Sequence, residues 1–241
     1  MLPPRWKRVY KNAMSQTSDE ANFQSCLALG LVRLSHSTTE RSSPCTALYQ
    51  WLPEGDVRQA ECNHAGHRRI EFLTGRFILR RIMQCRFGLK EVCIKTLSCG
   101  QPHLPDHPMS ISISHSSGWV VAGALSHGRL GLDVEGPRKR FCLPRRLKER
   151  YCAAGVSQEF VARHWPLIEA QAKCTGTSLG LLLQRPELCL SIDKKARRGW
   201  FTSDQYLMRY IKLPGAQLAL CLDSMVHKVH LDRVVLPSST H

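Results

Sequence analysis

The clearest helical pattern in the chain lies between residues 68 and 87, where arginines fill most positions that are not apolar. The apolar side chains recur every three or four positions: Ile70, Leu73, Phe77, Ile78 and Ile82. That period is typical of a helix with one face on a core, and Gly88 is a typical residue to end it. A second helix is predicted over residues 160–174. Pro166 lies inside that stretch and favours a helix that begins close to it.

Short apolar runs between turn-forming residues predict strands in much of the remaining sequence. Strands are expected over residues 26–34, 92–94, 111–113, 119–125 and 130–134, and a hairpin is expected within 204–222. The run from Trp119 to Leu125 is continuously apolar, which is typical of a strand buried on both faces. Residues 54–65 fit a loop or a short helix, and residues 137–150 fit a basic loop followed by a helix.

The order of these elements predicts an α+β fold with a pseudo-twofold duplication of one unit, a helix with an antiparallel sheet. In the first half, an Arg-rich helix, a strand and a turn precede residues 119–125. In the second half, a helix, a strand and the Pro214-Gly215 turn precede residues 217–222 in the same order. The two stretches share too little identity to prove a repeat. We predict an N-terminal half over 1–127, a C-terminal half over 128–225 and a tail over 226–241. Residues 1–45 show too little periodicity to be assigned in detail.

The net charge of the chain limits the classes of molecule that it is expected to bind. Its 241 residues include 34 Lys and Arg against 19 Asp and Glu, a formal net charge of +15. Such a surplus indicates an anionic partner: a nucleic acid, a phosphorylated cofactor, an acidic protein or a membrane face. The apolar and charged fractions, 43% and 22%, are those of a globular protein and argue against disorder or a fibre.

The cysteines and the N-terminus predict a cytoplasmic protein. Eleven cysteines are scattered without CxxC pairs or zinc-ligand spacing, so we expect reduced, mostly buried thiols in a reducing compartment. The N-terminal segment lacks the apolar core of a secretory signal, and no stretch of roughly 20 apolar residues predicts a membrane span.

Three acidic residues form a candidate metal site. Asp133 and Glu135 stand two positions apart on a predicted strand, so their side chains share one face, while Leu132 and Val134 point into a core. Glu169 lies in an uncharged stretch of the second helix, one turn before Lys173. Three carboxylates with room for water and phosphate suit Mg²⁺. Spacing alone favours a simpler interpretation without a metal. In it, Asp133 and Glu135 lie on a solvated strand edge, and Glu169 and Lys173 form a surface ion pair.

Three motifs in these segments resemble the signatures of the 4′-phosphopantetheinyl transferases, in the family's order and at its usual spacing. They are SISHS (112–116), GLDVE (131–135) and WPLIEAQAK (165–173). The helix that contains TGR (74–76) is similar to a helix in the family's first half. GQP (100–102) stands where the family has a Gly-Lys-Pro loop. The resemblance covers residues 68–173, and the length and implied halves match the monomeric, pseudo-dimeric type that activates surfactin- or enterobactin-type synthetases.

The resemblance implies an activity and a set of site residues. The family moves phosphopantetheine from coenzyme A to a serine of an apo acyl or peptidyl carrier protein and releases 3′,5′-ADP. The metal ligands implied are Asp133, Glu135 and Glu169, which would hold Mg²⁺, or alternatively Mn²⁺, on the pyrophosphate. Glu169, or a water on the metal, is the implied base, and Lys173 would stabilise the leaving phosphate. The implied coenzyme A ligands are Arg68, Arg76, Ser114, His115 and Lys173, with the two arginines on the 3′-phosphate.

Two departures from the family pattern keep another possibility open. Ile168 and Gln101 stand where the family has lysines, and a lost charge-assisted contact typically costs about 1.5–3 kcal/mol. A degenerate paralogue that binds carrier protein or coenzyme A without transfer is therefore an alternative. A basic nucleic-acid-binding protein is a weaker one, because aromatic residues are only 7% and no Arg/aromatic platform stands out.

The basic segment 138–150 predicts a docking surface for the protein substrate. It follows the strand with the acidic pair and carries seven cations against one glutamate: Arg138, Lys139, Arg140, Arg145, Arg146, Lys148 and Arg150. The resemblance implies an acidic carrier helix, which such a segment would attract over about a Debye length of 8–10 Å. The plain alternative is a solvated loop. We expect a monomer that binds neither nucleic acid nor membrane.

Overall fold

The computed structural model describes residues 25–34, 43–137, 142–187, 192, 199–203 and 205–237. The helices are α1 (Ser43–Trp51), α2 (Glu54–Asn63), α3 (Gly66–Phe87), α4 (Arg145–Ala153), α5 (Gln158–Thr175) and α6 (Leu179–Leu182). The first strands are β1 (Cys26–Arg33), β2 (Lys95–Thr96), β3 (Pro102–His103), β4 (Ser110–Ser116) and β5 (Trp119–Leu125). The later ones are β6 (Leu130–Glu135), β7 (Trp200–Ser203), β8 (Tyr206–Leu213), β9 (Ala216–Leu222) and β10 (Lys228–Arg233).

Two four-stranded sheets form the centre of the described fold. The first sheet has the order β10-β1-β5-β4 and the second has the order β6-β9-β8-β7. All neighbouring pairs are antiparallel except β1 with β10, which run parallel. The predicted α+β class is confirmed. The segment that sequence analysis left as a tail supplies β10 to the first sheet, and the proposed boundaries between halves stay a prediction.

The period-two pattern of the strands sorts side chains into separate cores. On β1, Ala28 and Val32 pack toward α3, while Leu27 and Leu29 meet the second sheet. On β9, Ala219 faces α5 and its neighbours face the first sheet. The sheets therefore lie face to face, with one long helix on the outer side of each, as the duplicated unit predicts.

The first long helix matches its sequence pattern, and the second differs from it. Helix α3 ends at Gly88, which adopts a left-handed φ of 71°. Helix α5 begins eight residues before Pro166 instead of near it, because the Ser157 hydroxyl caps the helix by accepting from the Phe160 N–H. Val161 and Leu167 are fully buried on either side of the proline, so both segments stay on the sheet despite the missing hydrogen bond.

The predicted strand over 92–94 is wrong, although its alternation of buried residues is real. Val92 and Ile94 are buried, but the strand in this region is limited to β2. The carbonyls of Val92 and Ile94 accept hydrogen bonds from Arg80 (2.9 Å) and Arg76 (3.3 Å) of α3. Guanidinium groups thus take the place of a neighbouring strand, which satisfies the backbone without a ladder.

The cysteine expectation is confirmed only in part. The described cysteines are free thiols, but six of them are exposed, and Cys174 and Cys221 are the two that are buried. A hydrogen bond with the Cys174 thiol, together with burial, raises the pKa of Cys221 far above its ordinary range. In the described part of the chain, no helix combines the length and apolarity that crossing a bilayer requires.

Candidate active site

The three predicted metal ligands meet at one end of the second sheet. Asp133 and Glu135 project from the same face of β6, and Glu169 reaches them from α5, with one ligand oxygen of each within 4.8 Å of the others. Gly131 makes this approach possible. A β-carbon there would overlap the carbonyl oxygen of Ala170 and lie 2.6 Å from the Cys174 nitrogen. With glycine, α5 rests directly on β6 and presents its carboxylate to the strand.

We call Asp133, Glu135 and Glu169 the acid cluster. Its electrostatics are those of a cation site. Burial and the negative charge of Asp133 raise the pKa of Glu169 to about 7, despite the opposing charge of Lys173. Asp133 is buried, and its Oδ2 atom has no hydrogen-bond partner. A buried carboxylate oxygen without a donor is costly, and a divalent cation with oxygen ligands would satisfy it. The residues present therefore fit a hard metal ion.

Lys173 joins the acid cluster to the strand beneath it. Its Nζ donates to Asp133 Oδ1 and to the Leu132 carbonyl, each at 2.9 Å. The ammonium group fixes one oxygen of Asp133 and leaves the other free, and the side chain remains partly exposed to the cavity.

A row of serines on β4, Ser110, Ser112 and Ser114, connects the two sheets. We call these residues the serine row. Their hydroxyls accept from the backbone N–H groups of Leu130, Leu132 and Val134 on β6, at 3.0, 3.1 and 3.1 Å. β6 is an edge strand, so side chains replace the ladder that its outer edge lacks.

The last member of the serine row also binds the acid cluster. The Ser114 hydroxyl donates to Asp133 Oδ1 at 3.0 Å, and the next alternate serine, Ser116, donates to Glu135 Oε2 at 3.4 Å. Ser114, expected from the resemblance to bind coenzyme A, is buried, lines the cavity between the two sheets and bonds to β6.

The opposite wall of the site carries positive charge. A cavity of about 460 Å³ is lined on one side by the acid cluster and on the other by Arg68 of α3 and His115 of β4. The Arg68 guanidinium lies against the His115 ring, with Nη1 at 2.9 Å from Nδ1. Glu71, a buried acid one turn after Arg68, lies 3.1 Å from His115 Nδ1. The cavity thus has a cluster of carboxylates on one side and two basic side chains, which suit anionic groups, on the other.

Arg76 does not reach this cavity. Its side chain is 1% exposed and bonds to Gln59 and Thr96, with the buried carboxylate of Asp56 at 3.7 Å. Burial lowers the pKa of its guanidinium, and the charge of Asp56 opposes that shift. The structure brings Arg68 but not Arg76 to the site, and Arg76 instead holds α2 and the β2 region against α3.

The two positions where lysines were expected lie away from the acid cluster. Ile168 is fully buried in the core between α5 and the second sheet, so the residue there faces away from the cavity. The Gln101 amide donates to the Lys173 carbonyl at 3.3 Å and lines a neighbouring cavity.

Part of the basic segment lies outside the described residues, namely 138–141. Helix α4 contains the remaining cations, and its Arg145 is almost fully exposed and pairs with Glu149 at 2.9 Å. Arg150 donates to the Gln184 carbonyl.

Sequence reasoning missed Glu71 and the first two serines of the serine row. In both cases the sequence contained a pattern that indicates a buried polar residue. Glu71 stands between Ile70 and Leu73 on the apolar face of α3, where a lone acid indicates a buried partner. The serines alternate with Ile111 and Ile113, so they share the face opposite to the one that packs toward α3.

Comparison with known protein families gives a match over the first part of the chain. Residues 56–128 match the family model of the 4′-phosphopantetheinyl transferase N-terminal domain. The matched region contains Arg68 and His115, which form the basic wall of the cavity, and it ends before the acid cluster. A search of curated proteins found no match.

Proposed function

Because the chain belongs to the 4′-phosphopantetheinyl transferase superfamily, we propose that it transfers phosphopantetheine from coenzyme A to a serine of an apo carrier protein. This is the holo-acyl-carrier-protein synthase reaction, which releases 3′,5′-ADP. The observation that carries the proposal is the acid cluster, which faces a basic wall across one cavity. Breaking a pyrophosphate needs positive groups around its oxygens to stabilise the charge that develops there.

The acid cluster is the proposed metal site. Asp133, Glu135 and Glu169 would hold Mg²⁺ or Mn²⁺, which supplies Lewis-acid polarisation of the pyrophosphate when bound. The free Oδ2 of Asp133 and the raised pKa of Glu169 support this assignment, because a cation would relieve both.

The remaining side chains have roles toward the anionic substrate. Arg68 and His115 would donate to phosphate oxygens of coenzyme A, and Lys173 would stabilise charge on the leaving 3′,5′-ADP. Glu169 is the candidate acceptor of the proton that the carrier serine loses on attack. Ser114 donates to Asp133 and also lines the cavity, so in this scheme it positions Asp133 and is a candidate ligand of coenzyme A.

The carrier protein is the proposed macromolecular partner, and we expect the enzyme to act as a cytoplasmic monomer. The exposed cations of α4 fit an acidic carrier surface. A degenerate paralogue is the second candidate, and the observation that favours it is Gln101, since this position beside Lys173 lacks the expected positive charge.

Mass spectrometry of the carrier tests the proposal. Incubation with coenzyme A, Mg²⁺ and an apo carrier protein is expected to add one phosphopantetheine group, and chelation of the metal should stop the reaction. Asp133→Asn should remove transfer, whereas Asp106→Asn, on an exposed loop, should not. A carrier that binds with no change of mass would support the degenerate paralogue, and a protein that binds neither carrier nor coenzyme A would overturn the proposal.

A further inference from the structure

One buried carboxylate, that of Glu71, contacts both residues of the basic wall, Arg68 and His115. Glu71 Oε2 lies 3.1 Å from His115 Nδ1 and 3.5 Å from Arg68 Nη1, and its Oε1 lies 3.6 Å from His67 Nε2. The Glu71 side chain is 8% exposed, while that of Arg68 is 66% exposed. The carboxylate therefore contacts its basic neighbours from the protein side, and the cavity side of Arg68 stays open.

One anion contacts both basic side chains. The Glu71 carboxylate offsets the charge of the Arg68 guanidinium and lies beside the His115 ring. The three basic neighbours of Glu71, led by His115, lower its pKa against the effect of its own burial, so the group is a carboxylate at neutral pH. A carboxylate beside an imidazole ring nitrogen also fixes the orientation of the ring.

We propose that Glu71 is a positioning residue that holds Arg68 and His115 side by side as one clamp for a phosphate group. The proposal rests on the proposed function, because the phosphate would belong to coenzyme A. Glu71 contacts the clamp from behind, so its effect on the ligand is indirect. A carboxylate would repel an anion if it faced the cavity. Behind the two basic side chains it leaves the Arg68 guanidinium turned toward the ligand.

Calorimetric titration with coenzyme A and with 3′,5′-ADP tests the clamp, using purified wild type, Glu71→Gln and Glu71→Asp. Glutamine keeps the shape and loses the charge, so affinity for both ligands should fall about tenfold, close to one charge-assisted contact. Aspartate keeps the charge and should restore part of the affinity. Adenosine, which lacks phosphate, should bind equally to all three.

Kinetics and a matched variant separate positioning from general stability. In the transfer assay, Glu71→Gln should raise the KM for coenzyme A about tenfold and change kcat by less than about twofold. Asp232→Asn is the control, because Asp232 pairs with Arg86 at the other end of α3. It should leave ligand affinity unchanged even if it lowers the melting temperature.

The outcomes are distinguishable. Wild type that binds neither phosphate ligand would overturn the proposed function and the clamp with it. Wild type that binds both, with an equal affinity for Glu71→Gln at full folding by circular dichroism, would overturn the clamp alone. Equal losses in Glu71→Gln and Asp232→Asn would assign Glu71 to stability and also overturn it.

Discussion

The charge balance of the acid cluster is measurable without any substrate. In the metal-free protein, Glu169→Gln removes a carboxyl group that burial and Asp133 hold at a pKa of about 7, against an ordinary value of 4.5. The folded chain therefore binds a proton that the unfolded chain has already released between these values. It follows that the free energy of unfolding of wild type falls as pH rises from about 4.5 to 7, and then levels off.

The size of the effect follows from the two pKa values. The difference between 4.5 and about 7 corresponds to at most roughly 3 kcal/mol, at 1.36 kcal/mol for each pH unit. Glu169 is only half-buried, and solvent screening reduces this to about 1–2 kcal/mol. We expect Glu169→Gln to be more stable than wild type by that amount at pH 8 without metal, and to lose the advantage near pH 5.

Urea unfolding in the presence of a chelator measures this difference at pH 5, 6, 7 and 8. Glu61→Gln is the control, because Glu61 is exposed on α2 and its substitution should give the wild-type pH profile. Adding Mg²⁺ at about 100 times its dissociation constant should stabilise wild type by about 2.7 kcal/mol, and Glu169→Gln by less.

Two results would contradict this prediction. If metal-free Glu169→Gln is less stable than wild type at pH 8, the three carboxylates do not repel one another and Glu169 has a structural role. If Mg²⁺ and Mn²⁺ both leave the wild-type unfolding curve unchanged, the acid cluster is not a metal site.

Three further predictions concern residues around the site. Arg76→Ala should lower the free energy of unfolding by about 2–3 kcal/mol, because the Ile94 carbonyl and the Thr96 hydroxyl lose a buried donor; weaker coenzyme A binding at unchanged stability would instead make Arg76 a ligand. Ser112→Ala should cost about 1–3 kcal/mol in urea unfolding, since the Leu132 N–H loses its acceptor, and a wild-type curve would contradict this. Reversing Arg145 and Arg146 to Glu should raise the KM for an acidic carrier several-fold at low salt, with coenzyme A affinity unchanged; an identical salt dependence would exclude α4 from docking.

Local sequence patterns were sufficient to locate the helices and strands in which apolar residues recur at a regular period. The apolar face and Gly88 located α3, and the continuous run at 119–125 located β5, because periodicity and turn residues act over a few positions. The members of the acid cluster could also be predicted from the sequence. The spacing of Asp133 and Glu135 fixes their common face, and the resemblance linked both to Glu169.

Tertiary structure decided which polar groups are satisfied and by what. Pro166 stays inside α5 because its neighbours are buried on the second sheet, and Val92 is not in a strand because Arg80 bonds its carbonyl. The same kind of long-range contact removes Arg76 from the cavity and puts Glu71 behind the basic wall. A sequence fixes the donors and acceptors of each residue, but the partner of a buried polar group is set by whichever segment the fold packs against it.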